Sequence, residues 1–82
     1  QILTHLPLLR SAIRARQKVA LTYTAPDGVV SRRVVHPLAT SYVARSWTVE
    51  AWDTSTHTRQ SFRLDLIDSA EALPELFSDP PD

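Results

Sequence analysis

The chain has 82 residues, 43% of them apolar and 22% charged, which is ordinary for one small globular domain and too short for two. Nine basic residues balance nine acidic ones, an evenness that argues against a strong non-specific nucleic-acid binder, since such proteins carry a clear positive excess. The absence of cysteine excludes disulfides and thiolate chemistry and leaves the cytoplasm as the default expectation, and no apolar run approaches the roughly 20 residues needed to cross a bilayer.

Chain order gives the elements. Thr4 to Lys18 is predicted as an amphipathic helix, because Leu6, Leu9 and Ile13, with Ala12 beside them, recur at helical spacing while Arg10, Arg14 and Lys18 share another face. Thr4 is the expected N-cap, and Pro7 fits the first turn, where its missing N–H has no helical partner. From Val19 the period becomes two: Val19, Leu21 and Tyr23 alternate with Ala20, Thr22 and Thr24, as in a strand. Ala25-Pro26-Asp27-Gly28 reads as a hairpin turn, with proline fixing φ and the single glycine of the chain accepting a positive one.

A second strand is expected from Val29 to His36, ended or bent by Pro37, which cannot donate to a ladder, and resuming over Leu38 to Val43. Ala44-Arg45-Ser46 is a turn, Trp47 to Trp52 a strand, Asp53 to Thr58 a polar loop and Arg59 to Leu64 the next strand. Ile67 to Leu73 is a last short strand or a turn leading out. Pro74 to Asp82, rich in proline and acid, reads as a tail or linker from which Leu76 and Phe77 can still dock. The expected organisation is therefore a domain over 1–77, with a helix at about 4–18 and strands over about 19–73, and a tail at 78–82. One helix followed by four or five strands joined by tight turns predicts a mainly β fold, a small curved antiparallel sheet or partly open barrel. The start at Gln1 rather than Met is expected of a piece of a longer protein, and no signal peptide is visible.

Arginine and tryptophan dominate the candidate functional residues. Arg59 and Arg63 share one strand face, about 13 Å apart at ~3.3 Å per residue, a spacing suited to two phosphates and less to one carboxylate. Guanidinium fits that task because its planar fork bonds phosphate oxygens in pairs. Solvated arginines, Arg63 paired with Asp65 for example, are the plainer alternative. In the run S-R-R-V-V-H-P, one of Arg32 and Arg33 must approach the apolar face, and Arg33 shares its side with Val35. Trp47 alternates with Val49 and Ala51, whereas Trp52 shares the opposite face with Thr48 and Glu50. Both indoles therefore cannot lie deep in one core, and Trp47 is either core or a stacking wall. His5, His36 and His57 lack metal-ligand spacing, so neither a metal nor another cofactor is expected. No nucleophile motif or glycine-rich phosphate loop is present, so the chain is not expected to be an enzyme.

The ordered series L-L-R-S-A-I, V-A-L-T-Y, Arg33-Val34-Val35-His36-Pro37, W-T-V-E-A and R-Q-S-F-R-L-D-L-I resembles the WYL domain of bacterial transcription regulators, over about Leu8 to Phe77. Tyr23, Arg33, Trp47, Arg59 and Arg63 match the positions that the resemblance associates with ligand binding. Two departures stand out: the name-giving Trp-Tyr-Leu is Trp47-Thr48-Val49 here, and Leu66 stands where the family commonly has a basic residue. The resemblance implies an Sm-like, partly open barrel that follows a helix-turn-helix DNA-binding domain in the full-length chain, is often dimeric there, and senses a negatively charged ligand such as single-stranded nucleic acid or a nucleotide. The alternative, favoured by the zero net charge, is a protein-interaction or dimerisation module without ligand binding.

Overall fold

In a computed structural model of the chain, which describes residues 5–78, one helix precedes five antiparallel strands. Helix α1 spans Leu6–Ala15, with Pro7 in its first turn. Leu6, Leu9 and Ala12 are buried and Ile13 half-buried, so the apolar stripe read from the sequence is the docked face. Thr4, the expected N-cap, lies outside the described residues; the helix starts after His5, whose side chain makes no capping bond. The helix is three residues shorter at its end than its periodicity implies. Arg16 adopts the left-handed conformation (φ 58°) and its N–H caps the Ala12 and Ile13 carbonyls. Lys18 accordingly belongs to the following strand and does not extend the Arg10–Arg14 face.

The strands are β1 (Gln17–Thr24), β2 (Val30–Val43), β3 (Ser46–Asp53), β4 (Thr58–Arg63) and β5 (Ile67–Leu76). Their order in the sheet is β4-β3-β2-β1-β5, which leaves β4 and β5 as the two edges of a barrel that does not close. The β1–β2 hairpin turns as its residues dictate: Gly28 has φ 90°, its N–H donates to the Ala25 carbonyl, and the Val29 N–H donates to the Asp27 carboxylate. The β2–β3 turn places Ala44 (φ 51°) and Arg45 (φ 63°) in the left-handed region, the geometry that matches a two-residue hairpin to strand twist.

Of three boundaries, one takes an expected form and two depart. Strand β2 is not ended at Pro37 but runs on to Val43, and the expected bend takes the form of a register shift between Pro37 and Ala39 that absorbs the missing donor. Strand β4 stops at Arg63, because Leu64–Leu66 forms a 3-10 turn that breaks the alternation of Phe62, Leu64 and Leu66; Leu64 is buried and Leu66 half-buried. Strand β5 continues through Pro74 to Leu76, which an edge strand permits. Beyond it Phe77 is buried and its N–H donates to the Arg16 carbonyl, while Leu76 stays exposed. Most of the expected tail at 78–82 falls outside the described residues.

The core lies between one face of the sheet and α1. Val19 and Leu21 of β1, Val35 of β2, Val49 and Ala51 of β3, Phe62 of β4, Leu64 and Ile67 pack against Leu6, Leu9 and Ala12 of α1. Burial of these apolar side chains is the main stabilising term.

Candidate functional site

The pairing registers decide which of the candidate residues can meet. On β1 and β2, Leu21 faces Arg33 and Tyr23 faces Ser31, with Val19 opposite Val35. Val19, Leu21 and Val35 are core, so Tyr23, Ser31 and Arg33 continue that inner face toward the β1–β2 hairpin end. On β3, Val49, Ala51 and Asp53 are fully buried, so Trp47 also points inward, and it packs against the core. Arg33 is thus the arginine of the pair that turns inside, as the alternation requires, while Arg32 is exposed.

Asp53 holds Arg33 in place. The Arg33 Nη1 donates to Asp53 Oδ2 and its Nε to the Ser31 hydroxyl at 3.3 Å. The other Asp53 oxygen accepts from the Ser55 N–H (2.9 Å) and the Ser55 hydroxyl (2.7 Å). Burial works to raise the pKa of Asp53, but the two Ser55 hydrogen bonds and Arg33 outweigh it and keep the carboxyl below its ordinary value. The group is a buried anion with three donors, and it fixes a guanidinium whose side chain is still 29% exposed. Around it, Arg33 lies 5.9 Å from the Phe62 ring centroid, and Tyr23 meets Phe62 edge-on at 5.2 Å. The Arg33 Nη2 and the Tyr23 hydroxyl make no hydrogen bond among the described residues. Chemically this is a pre-oriented cation in an aromatic mouth, with donor capacity left over for an anionic group.

Arg59 and Arg63 do not join that mouth. They share a strand face, as the alternation requires, but β4 pairs Trp52 with Arg59, Glu50 with Ser61 and Thr48 with Arg63, which is the outer face of the sheet, while Phe62 between them points inward. The aromatic neighbour of Arg59 is therefore Trp52, and Trp47 lies on the other side. Arg63 is neutralised by Asp65, at 3.1 and 2.5 Å. Convergence of the five candidate residues on one patch is thus corrected: Tyr23 and Arg33 meet, Trp47 shares their face farther along β3, and Arg59 and Arg63 form a separate surface.

Sequence reading missed Asp53, taken only as the start of a polar loop, although the signal was present: Asp53-Thr54-Ser55 has the pattern in which an aspartate accepts from the N–H two residues on. It also weighed His36 only as a metal ligand. This imidazole is stacked on Phe77 at 4.7 Å and 9°, faces Trp52 across β2–β3, and has a buried Nε2 without a hydrogen-bond partner among the described residues. Burial, and secondarily the charge of Lys18, lower its pKa below the ordinary value. No group of three metal-ligating side chains is assembled among the described residues, and no described helix is long and apolar enough to cross a membrane.

A five-stranded antiparallel sheet that does not close, with α1 packed on its inner face, defines a small, partly open barrel module. The profile of the WYL domain family matches residues 4–72, and the chain belongs to that family. Among solved structures it is similar to proteasome accessory factor B/C (PafBC) of Arthrobacter aurescens, with a TM-score of 0.88 and 27% identity over 94% of this chain. The match spans 12% of the PafBC chain. No curated protein sequence matches the chain.

Proposed function

We propose that this chain is the regulatory domain of a transcription regulator, and that it senses a negatively charged ligand, such as a nucleotide or single-stranded nucleic acid, at the mouth formed by Arg33, Tyr23 and Phe62. Membership of the WYL family and the likeness to PafBC support the regulatory role. The observation that carries the ligand reading is the orientation of Arg33 by fully buried Asp53. The same pair contributes to stability, and it also removes the conformational freedom of a partly exposed guanidinium before a ligand arrives, which favours recognition. Binding rather than catalysis is the role assigned, with a helix-turn-helix domain and a second subunit as the partners in the full-length protein.

Fluorescence anisotropy with labelled nucleotides and short DNA and RNA single strands at low salt tests the site. Arg33→Lys keeps a cation beside Asp53 but loses the planar fork. Losing one charged hydrogen bond, about 1.5–3 kcal/mol, weakens binding by at least about tenfold, while Arg59→Ala/Arg63→Ala leaves it nearly unchanged. Equal affinity of wild type and Arg33→Lys overturns the assignment.

The second reading, a dimerisation module, rests on exposed apolar side chains at the two hairpin tips: Val29 and Val30 at one, Tyr42 and Val43 at the other. A concentration-independent monomer in sedimentation would remove its support.

A further inference from the structure

The outer face of the sheet carries a group of rings that the Arg33 mouth does not use. Val35 is core, so its neighbour His36 projects to the opposite side of β2, as Trp52 does from β3 directly across the ladder. Phe77, the first residue beyond β5, closes over the imidazole: the two rings lie 4.7 Å apart and nearly parallel, and Phe77 is only 8% exposed. Under this cover His36 Nε2 is buried, with no hydrogen-bond partner among the described residues. A neutral imidazole can leave Nε2 as the unprotonated nitrogen, whereas an imidazolium must place an N–H there with nothing to accept it.

The end of β5 is lightly held. Between the pairs Val19–Ala72 and Gln17–Leu76 the ladder is irregular: Lys18 alone stands opposite Leu73, Pro74 and Glu75, and Pro74 has no N–H to donate. Beyond that bulge the strand is fixed by the Leu76–Gln17 pair, by the Phe77 N–H on the Arg16 carbonyl at 2.9 Å, and by the Phe77 ring on His36. Of residues 74–77 only Phe77 is buried.

Among the described residues no carboxylate pairs with the imidazole. Lys18 of β1 is the charge whose field reaches the ring, and it opposes protonation. The Arg16 guanidinium turns back to the Ile13 carbonyl. Glu50 of β3 stands opposite Ala39 rather than His36, and Glu75 of β5 is exposed in the bulge.

We propose that the His36–Phe77 stack is a proton-operated latch: a neutral imidazole keeps Phe77 and the end of β5 on the sheet, and an imidazolium lets residues 74–77 come away. The bulge at Pro74 is the hinge, because the ladder is already interrupted there. Opening exposes Nε2 to water and moves nothing in the core, which lies on the other side of the sheet. The latch is independent of the anionic-ligand reading of Arg33, which sits on that other side.

Amide hydrogen exchange followed by NMR tests the latch, with each rate corrected for its intrinsic pH dependence. Protection of the Phe77 N–H is expected to fall at least about threefold between pH 7 and pH 5, within the limit of about tenfold per pH unit that one proton sets. The amides of β3, flanked by strands on both sides, should stay protected and show that the domain remains folded. His36→Gln, which cannot take up the proton, should hold Phe77 equally well at both pH values. Lys18→Gln removes the like charge and should move the transition to higher pH. Linkage requires the converse effect: in Phe77→Ala the midpoint of the His36 imidazole resonances should rise toward the ordinary value. Unchanged Phe77 protection from pH 7 to pH 5, the same loss in His36→Gln, or an identical His36 midpoint in wild type and Phe77→Ala overturns the proposal. So does loss of β3 protection in step with Phe77, which would make the opening global.

Discussion

Replacing Arg33 by alanine should expose how much of the fold depends on one ion pair. In the folded chain Asp53 is fully buried, and among the described residues Arg33 is the one cation that touches it and Ser55 supplies the other two donors. Breaking a buried pair by removing one partner costs about 3–5 kcal/mol. Arg33 is partly exposed, so solvent screening reduces the figure here to about 2–3 kcal/mol. A domain of this size has roughly 4–12 kcal/mol in total, at about 0.05–0.15 kcal/mol per residue. Urea denaturation followed by tryptophan fluorescence should therefore show a midpoint lowered by about 2 M at pH 7, taking a slope near 1 kcal/mol/M.

The pH dependence gives a second, independent reading. In the wild type the Asp53 pKa is lowered on folding, so its contribution is fully present above the ordinary carboxylate value and is lost as pH falls through the folded value. Without Arg33 the opposing burial gains weight, and a folded pKa raised above the unfolded one would favour the variant's fold at acid pH and penalise it as pH rises. The gap between the two proteins should accordingly narrow from pH 7 toward pH 3. A gap under about 1 kcal/mol at pH 7, unchanged on acidification, would refute the account of a buried carboxylate held by one guanidinium.

Two further outcomes follow from local geometry. The lowered pKa of His36 means that the unfolded chain takes up its proton first, so this residue's contribution is full above about pH 6.5 and shrinks as pH falls through the folded value; thermal melts between pH 7 and pH 5 should show a smaller decline in His36→Gln than in the wild type. At the β2–β3 turn, Ala44→Asn/Arg45→Gly places the residues that tolerate left-handed backbone where both positions already adopt it. The chain should gain about 1 kcal/mol in urea melts, and no gain would mean that the turn does not hold this conformation in solution.

The parts of the fold written in local pattern were the legible ones. Pro26-Asp27-Gly28 specified its turn, and alternation put Arg33 on one face with Val35 and Trp47 on one face with Val49, the faces that the structure shows to be inner. Where tertiary position overrides local preference, the reading failed. Pro74 sits on an edge strand and did not stop it, whereas Pro37 only bent its strand at a bulge, one of the two outcomes expected of it. Arg16 ends the helix by a left-handed cap that no glycine announced. In the candidate site, the alternation of β4 correctly put Arg59 and Arg63 on one face, but a single strand does not say which face of the sheet that is; only the pairing of β3 with β4 turned both away from Arg33. The pairing of Asp53 with Arg33 was out of reach for the same reason, since the two lie 20 residues apart in the chain.

The hydrogen bond from Phe77 to Arg16, together with the pairing of Leu76 with Gln17, brings the segment that follows α1 and the segment that leaves β5 side by side. A displacement of α1, the element that carries Arg10 and Arg14, therefore reaches the departing chain across a few ångströms, without crossing the sheet.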